Sequence, residues 1–483
     1  MTFRLSSLRF CFFLLLGAPF VAMALSEATH PKEHFVSSAA DIAQLGEAVR
    51  PGDVLVMTNG TWTDQAIVFR GRGTPEKPIT LRAQTPGKVV LTGNSSVTID
   101  GEYLVVSGFS LKDGRSTNAG VAIKGSHCRL TDTVVVGGTY KFFVRMWGTE
   151  NRMDHCYLAG KTSESPTLQV EVESKPNRHR IDHNHFGSRP PLGRNGGETI
   201  RVGYSWQSMT NSGTIVEQNL FDRCDGELEI VSNKSCDNVY RGNTFLDCAG
   251  MFTLRHGNRC RVEGNFFFGH HKRGSGGIRV IGEDHVIVNN YIDGVEEGAF
   301  RVTSGILDSP LVGYFRARNC LIAFNTVVDS AGPIIELAAG LGTSRRTLLP
   351  ENITIANNVF SLPQRATLLK GKEGDGFKWQ GNVAWAGTNS EAIGPRAGVR
   401  VADPKLVLGN DHLWRPAEDS PLRGRAEGNF WEIKTDIDGQ KRQNAFDVGC
   451  DQIATTPVRN QPLTARDVGP SWMSRTNSLT FNR

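Results

Sequence analysis

The run EQNLF (217–221), RGNTF (241–245), EGNFF (263–267) and VNNYI (288–292) sets Asn219, Asn243, Asn265 and Asn290 each after a short apolar strand. The same mark recurs as HNHF at Asn184, AFNTV at Asn325, ANNVF at Asn358 and QGNVA at Asn382. From Asn219 onward the steps are 24, 22, 25, 35, 33 and 24 residues. A period of this size marks stacked units, each burying its apolar face only against its neighbours. Short β-rich runs, 53 Gly in 483 residues and few long helical patterns make the unit a coil of strands. The absence of βαβ alternation excludes a doubly wound sheet. The expectation is an all-β chain folded as a right-handed parallel β-helix, a single solenoid domain from about residue 36. Asn at a coil corner tolerates left-handed backbone and pairs its amide with the next coil, so these Asn residues are structural.

Working outward, two insertions interrupt the repeat at Val302–Arg318 and Gly340–Pro350. Loops of that length in a compact fold are commonly functional. Their Arg316, Arg318, Arg345 and Arg346 read either as reaching an anionic polymer or as solvated loop charges. Upstream, Asp41–Val49 reads as a short amphipathic helix able to cap the solenoid's open end, and Pro51-Gly52-Asp53 turns the chain into the strand Val54–Met57. Beyond Asn382 the repeat fades, giving a C-terminal cap from about residue 390. The Asp residues of DIDGQKRQNAFDVGCDQ (436–452) read as turn formers.

Residues 1–24 form a signal peptide: Arg4 and Arg9 precede the apolar run Phe10–Val21, and Ala22-Met23-Ala24 offers a small-residue cleavage site. The mature domain is then 25–483, periplasmic or secreted, with no other run of the ~20 apolar residues a membrane span needs. Cleavage lowers the formal charge from +5 to +3, too little to name a partner. No recognition helix, zinc finger or aromatic RNA-binding signature points to nucleic acid. Oligomeric state is not legible. Eight cysteines remain, of which Cys224, Cys236, Cys248 and Cys260 lie twelve apart. In coils of two dozen residues Cys224 stacks under Cys248 and Cys236 under Cys260, as buried thiols or as disulfides that export would permit. No spacing suggests zinc.

The chemistry-bearing residues fall between 195 and 279, in NGGETIRVGYS (195–205), CDGELEIVSNKS (224–235), GMFTLRHG (250–257) and GGIRVIG (276–282). Read as strands of period 2, GELEIVS buries Leu228 and Ile230 and turns Glu227, Glu229 and Val231 outward. TLRHG buries Leu254 and presents Thr253 and Arg255. GGIRVIG buries Ile278 and Val280 and presents Arg279, and TIRVG buries Ile200 and Val202 and shows Arg201. Lys234, Arg255 and Arg279 lie 9, 10 and 11 residues before Asn243, Asn265 and Asn290, so they are expected to stack on successive coils.

At these residues the chain resembles the chondroitinase B and alginate lyase family, the parallel β-helix enzymes of polysaccharide lyase family six. Asn195 and Glu198 in NGGE, the Glu227-Leu228-Glu229 triplet, Lys234 in SNKS, Arg255-His256 in LRHG and Arg279 in GGIR stand in the family's order and at similar spacing. The likeness extends more weakly from about Ala39 to about Asn382. It implies that Asn195, Glu227 and Glu229 bind calcium, that Lys234 is the Brønsted base and that Arg255 is the acid. Beside these, Glu198 reads as support for the calcium shell, and Arg279, Arg201 and His256 read as substrate-binding residues.

The chemistry is β-elimination: the proton α to a uronate carboxylate leaves, and the 4-linked oxygen is expelled. That proton is poorly acidic beside an anion, so a cation on the carboxylate supplies the main electrostatic help. Two Glu and an Asn are hard oxygen ligands suited to Ca2+. Free Lys titrates near 10.4, and calcium, Arg255 and Arg279 are the positive charges expected to depress Lys234. An Arg gives up its proton reluctantly, so the donor is Arg255, His256 or water, and His256 reads equally as an orienting or a substrate-binding residue. Arg145 and Lys161 read as an outer subsite or as plain surface charge. The function expected is an alginate lyase, an enzyme acting on an anionic polysaccharide, with dermatan sulfate as the alternative substrate. A β-helix glycoside hydrolase, which flanks the bond with two carboxylates ~5 Å or more apart, and a non-catalytic sugar-binding β-helix are the other classes.

Overall fold

A computed structural model describes residues 31–46, 48–443 and 445–473; the signal-peptide reading of 1–24 lies outside them. The chain winds as a parallel β-helix with three faces, sheets of 14, 12 and 14 strands in which each strand bonds its counterpart one coil away. Most strands are three or four residues long. Short strands suffice because the middle residue of each turns inward and stacks. Val216, Tyr240, Val262 and Ile287 form one such row in register. Phe186, Phe221, Phe245 and Phe267 form another, with ring centroids 5.0, 4.5 and 4.5 Å apart. These rows merge into one continuous core from Val36 to Ile393.

The Asn repeat stacks at the corner between the two 14-stranded sheets. Asn219 N donates to Asn243 Oδ1 (3.1 Å), Asn243 N to Asn265 Oδ1 (3.0 Å) and Asn265 N to Asn290 Oδ1 (3.1 Å). The ladder runs from Asn184 to Asn382. It satisfies backbone groups that a corner otherwise buries unpaired. The left-handed residue is not the Asn but the one before it: Gln218, Gly242, Gly264 and Asn289 have φ of 52°, 60°, 62° and 56°.

The helix Ala39–Leu45 is shorter than expected from the sequence, and Ser38 with Asp41 closes it in a capping box. All eight described cysteines are buried and free. Cys224 stacks with Cys248, whose Sγ accepts the Cys224 amide at 3.3 Å. Cys236 does not stack with Cys260. Its Sγ accepts from the Asn258 amide at 3.3 Å, and the Cys260 amide bonds His285 Nδ1 instead. That coil is two residues shorter, so the register slips by two.

The two insertions zip together, Gly305–Ile306 pairing antiparallel with Arg346–Leu348 over the 12-stranded sheet. Arg316 is paired with Glu351 and Arg318 with Glu283, whereas Arg345 stays exposed. Beyond Val399–Val401, the last strand of the third sheet, the chain turns back along the Asn corner as a strap. Thr435, Asn460, Gly469 and Trp472 bond the coils at Asn289, Gly264, His183 and Asp132 in turn.

Candidate active site

Four neighbouring strands of the 12-stranded sheet carry the site: β1 (Ile200–Gly203), β2 (Glu229–Lys234), β3 (Gly250–His256) and β4 (Ser275–Val280). Ile200, Val231, Phe252 and Ile278 stack inward. Arg201, Ser232, Thr253 and Arg279 form the opposite row, which Arg301 continues. Two irregularities in the β2–β3 pairing depart from strict alternation. At the first, Ile230 is the extra residue, so Ile230 and Val231 are both buried while Leu228, expected inside, precedes the strand and is 46% exposed. At the second, Lys234 pairs with His256 and Arg255 is the extra residue. A bulge of this kind re-aims a side chain. Lys234, Arg255 and Arg279 therefore do not form one file: Arg279 stacks on Thr253 and Lys234 on His256. Thr253 itself is covered over.

Carboxylate oxygens of Glu198, Glu227 and Glu229 lie within 4.8 Å of one another. Asn195, exposed, lines the same open cleft as Glu227, Glu229 and Arg279. Glu227 Oε2 accepts from the amides of Gly196 (2.8 Å) and Gly197 (3.3 Å). Burial first, then Glu198 and Glu229, push the Glu227 carboxyl up to about 7. Glu198 is wholly buried; its Oε1 meets Arg201 Nη1 at 3.4 Å and Lys234 Nζ at 3.8 Å, and its Oε2 has no partner. Glu229 Oε1 faces Arg279 Nη1 at 3.6 Å and Arg255 Nε at 3.8 Å. Four cations meet Glu198 and Glu229, but Glu227 accepts only backbone amides and Glu198 Oε2 is orphaned, and a hard divalent cation fits these unmet carboxylate oxygens.

Lys234 is mostly enclosed, and its ammonium is held below the usual lysine range. Burial is the largest cause, with Arg201 and Arg255 adding to it and Glu229 and Glu198 opposing. Desolvation thus does more than the positive neighbours expected from the sequence, and Arg279 is not among them. His256, expected against substrate, is sealed behind the wall: it is 0% exposed, and burial, then Arg255 and Lys234, hold its imidazole down at about 2. A neutral buried imidazole does not protonate a leaving group near neutral pH.

Three residues have no counterpart in the sequence reading. Tyr314, from the first insertion, lies under the guanidinium groups of Arg255 (4.1 Å), Arg346 (4.5 Å) and Arg279 (5.8 Å). Burial raises its phenol, yet Arg255, Arg279 and Arg346 outweigh it and leave the phenol below its ordinary value. Gln169 Oε1 accepts from Arg201 Nε at 2.7 Å and sets its orientation. Arg189, also buried, donates to the carbonyl oxygens of Glu198 (2.6 Å), Ser165 (3.0 Å) and Ser163 (3.1 Å), which holds the Gly196–Glu198 turn under the trio. Only the length of the insertion hinted at Tyr314; nothing marked the other two. Of the outer candidates, Arg145 is paired with Glu171 at 2.6 Å and stacked on Trp147. Lys161 is not a surface charge. It is 1% exposed, donates to Tyr140 O (3.1 Å), Ser163 O (2.9 Å) and Glu164 O (3.1 Å), and burial with Arg189 lowers it to about 7.

The family model of chondroitinase B matches residues 36–421. The chain belongs to that family, polysaccharide lyase family six. Within the family, the alginate lyase AlyGC is 34% identical over 92% of this chain, with a TM-score of 0.79, and this chain spans 59% of AlyGC's length. A mannuronic acid specific lyase of the family from human gut microbiota is 33% identical, covering 77% of this chain and 91% of its own, TM-score 0.69. The family's Pedsa3628 from Pseudopedobacter saltans is 26% identical, covering 91% and 99%, TM-score 0.71. No curated protein matches.

Proposed function

We propose that this protein cleaves alginate by calcium-assisted β-elimination. The observation that carries the reading is the meeting, on one wall, of an enclosed Lys234 with a depressed ammonium, three convergent carboxylates and Arg255 on Tyr314. Lys234 Nζ takes the C5 proton of the uronate, the electron pair forms the C4=C5 bond and the bond from C4 to the glycosidic oxygen breaks. Arg255 meets that oxygen as negative charge develops and, with Arg279, fixes the substrate's charge. Asn195, Glu227 and Glu229, with Glu198 beside them, would hold the calcium, which when bound neutralises the uronate carboxylate. His256 positions Arg255, their nitrogens lying 3.5 Å apart. The proton for the departing oxygen then comes from Arg255 or water.

Glu227 and Glu229 share one cluster with Glu198, an arrangement that favours a metal over two groups flanking a glycosidic bond. Alginate is favoured because AlyGC is an alginate lyase and another relative is mannuronic acid specific. The reading includes export to the periplasm or beyond, supported by the charged and apolar run of 1–24; among described residues no helix is long and apolar enough to cross a membrane. Incubation with alginate, its mannuronate and guluronate blocks and dermatan sulfate, followed by the ultraviolet absorbance of unsaturated ends, tests it. Signal with alginate is expected. Signal with dermatan sulfate alone overturns the substrate, and none with any of them overturns the activity.

A further inference from the structure

A second concave surface lies far from this wall, where the strap crosses the corner between the two 14-stranded sheets. It is a cleft of about 920 Å³, within the ~300–1,000 Å³ usual for ligand sites. Its floor is Phe324, from the solenoid corner, met edge-on by two rings of the strap: Phe430 at 5.4 Å and Phe446 at 5.9 Å. Arg442 lies over Phe324 at 4.5 Å. It is 3% exposed and bonds Asn289 Oδ1 (2.7 Å) and Gly449 O (2.8 Å), yet its Nε has no partner. Lys434, Lys441 and Arg459 stand exposed around the cleft, and Trp431 is 65% exposed.

The charge is one-sided. Four lining residues are basic and none is acidic. Two other cations of the strap are ion-paired: Lys405 with Asp419, and Arg415 with Asp411, Asp438 and Asp451. Lys434, Lys441 and Arg459 have no ion pair among the described residues. Unpaired cations beside the exposed Trp431 and the half-buried Phe430 and Phe446 suit a ligand with alternating C–H faces and carboxylates, since pyranose faces lie on rings and carboxylates take charge-assisted bonds.

We propose that this cleft is a non-catalytic binding site for a uronate-bearing stretch of polysaccharide, holding the polymer while the 12-stranded sheet cleaves it elsewhere; the choice of alginate as that polymer rests on the function proposed above. Phe324 sits on a corner shared by the other two sheets, so occupation of the cleft leaves the catalytic wall open.

The test is electrophoresis of the full chain through gels containing alginate, in the Lys234→Ala background, comparing it with Trp431→Ala and with Lys434→Glu/Lys441→Glu added. Each added change is on an exposed side chain. Both are expected to weaken retardation about five-fold or more. In the otherwise native enzyme the same changes should leave turnover of short oligouronates unaltered and raise KM for long polymer. Undiminished retardation, with alginate cleaved normally, overturns the cleft and spares the activity. If alginate is neither cleaved nor retarding, gels of dermatan sulfate and polygalacturonate follow: retardation lost in Trp431→Ala supports the cleft with another acidic glycan, and none in any gel overturns it.

Discussion

At the residue scale the decisive quantity is the proton on Lys234. Its ammonium is depressed from the ordinary 10.5 chiefly by burial, so the neutral amine appears at lower pH than in free lysine. A base must be neutral to act, and the initial rate should rise with pH through an apparent pKa below the ordinary value. Lys234→Ala should lower turnover roughly 10³-fold, as loss of a positioned base does, with the circular dichroism spectrum unchanged. Substantial turnover by that variant would remove Lys234 from the role. Glu227 makes the opposite movement, from 4.5 up to about 7. Between those values the metal-free folded state keeps a proton that the unfolded chain has lost. Metal-free stability should therefore fall as pH rises through that window, and calcium, by favouring the ionised trio, should offset the fall. Melting temperatures with chelator and with calcium at pH 5 and pH 8 check this: the upshift should be larger at pH 8. An equal or smaller upshift at pH 8 would sink the assignment of Glu227 as a ligand.

At the scale of the element, the sequence reading succeeded where a period is enforced and failed where it is broken. The Asn ladder was legible because each Asn of the ladder meets the same backbone groups one coil on, which fixes its identity at every corner. The inward rows of β1 and β4 were legible for the same reason. The start of β2 was not: alternation applied to GELEIVS assumes a strand from Gly226, whereas pairing begins at Glu229 and skips Ile230. The second irregularity, which turns Arg255 out beside Lys234, has no local sequence mark because a bulge is settled by the partner strand. Contacts between distant segments were equally invisible, which is why Tyr314, Gln169 and Arg189 went unread. The ladder itself is open to test. Asn265 Oδ1 accepts from both nitrogens of Asn243, and its Nδ2 donates to Tyr240 O and Glu263 O. Asn265→Ala strands buried donors and acceptors at about 1–3 kcal/mol each, so a loss of roughly 2–5 kcal/mol is expected. Urea titration measures it. A loss under ~0.5 kcal/mol, the range of surface changes, would mean that the ladder is not what holds the corner.

At the scale of the whole molecule the strap changes what kind of object the solenoid is. A plain β-helix is held by nearest-neighbour contacts, so its ends fray and distant coils unfold independently. Here residues 456–473 bind coils far apart in the stack. Asn460 donates to Gly264 O (2.9 Å), the Leu463 amide to Thr244 Oγ1 (2.8 Å), the Gly469 amide to His183 O (2.8 Å) and Trp472 Nε1 to Asp132 O (2.9 Å). Leu463 and Val468 also join Leu220, Leu246, Phe266 and Phe268 in an apolar cluster on the outside of the third sheet, which would otherwise face water. Ending the chain after Thr455 should uncover that cluster. Burial of Leu463 and Val468 alone contributes roughly 3–6 kcal/mol at ~1.5–3 kcal/mol for each side chain. The loss should appear as a change of mechanism as well as of midpoint. The full chain is expected to unfold in one urea transition, whereas the truncated chain should unfold in two, with early proteolytic cuts among the coils from Asp132 to Gly264. Specific activity at low temperature should persist, because among the described residues no hydrogen bond or ion pair joins a site residue to the strap. A single transition at an unchanged midpoint would show that the strap merely lies on the solenoid and does not bind its coils into one cooperative unit.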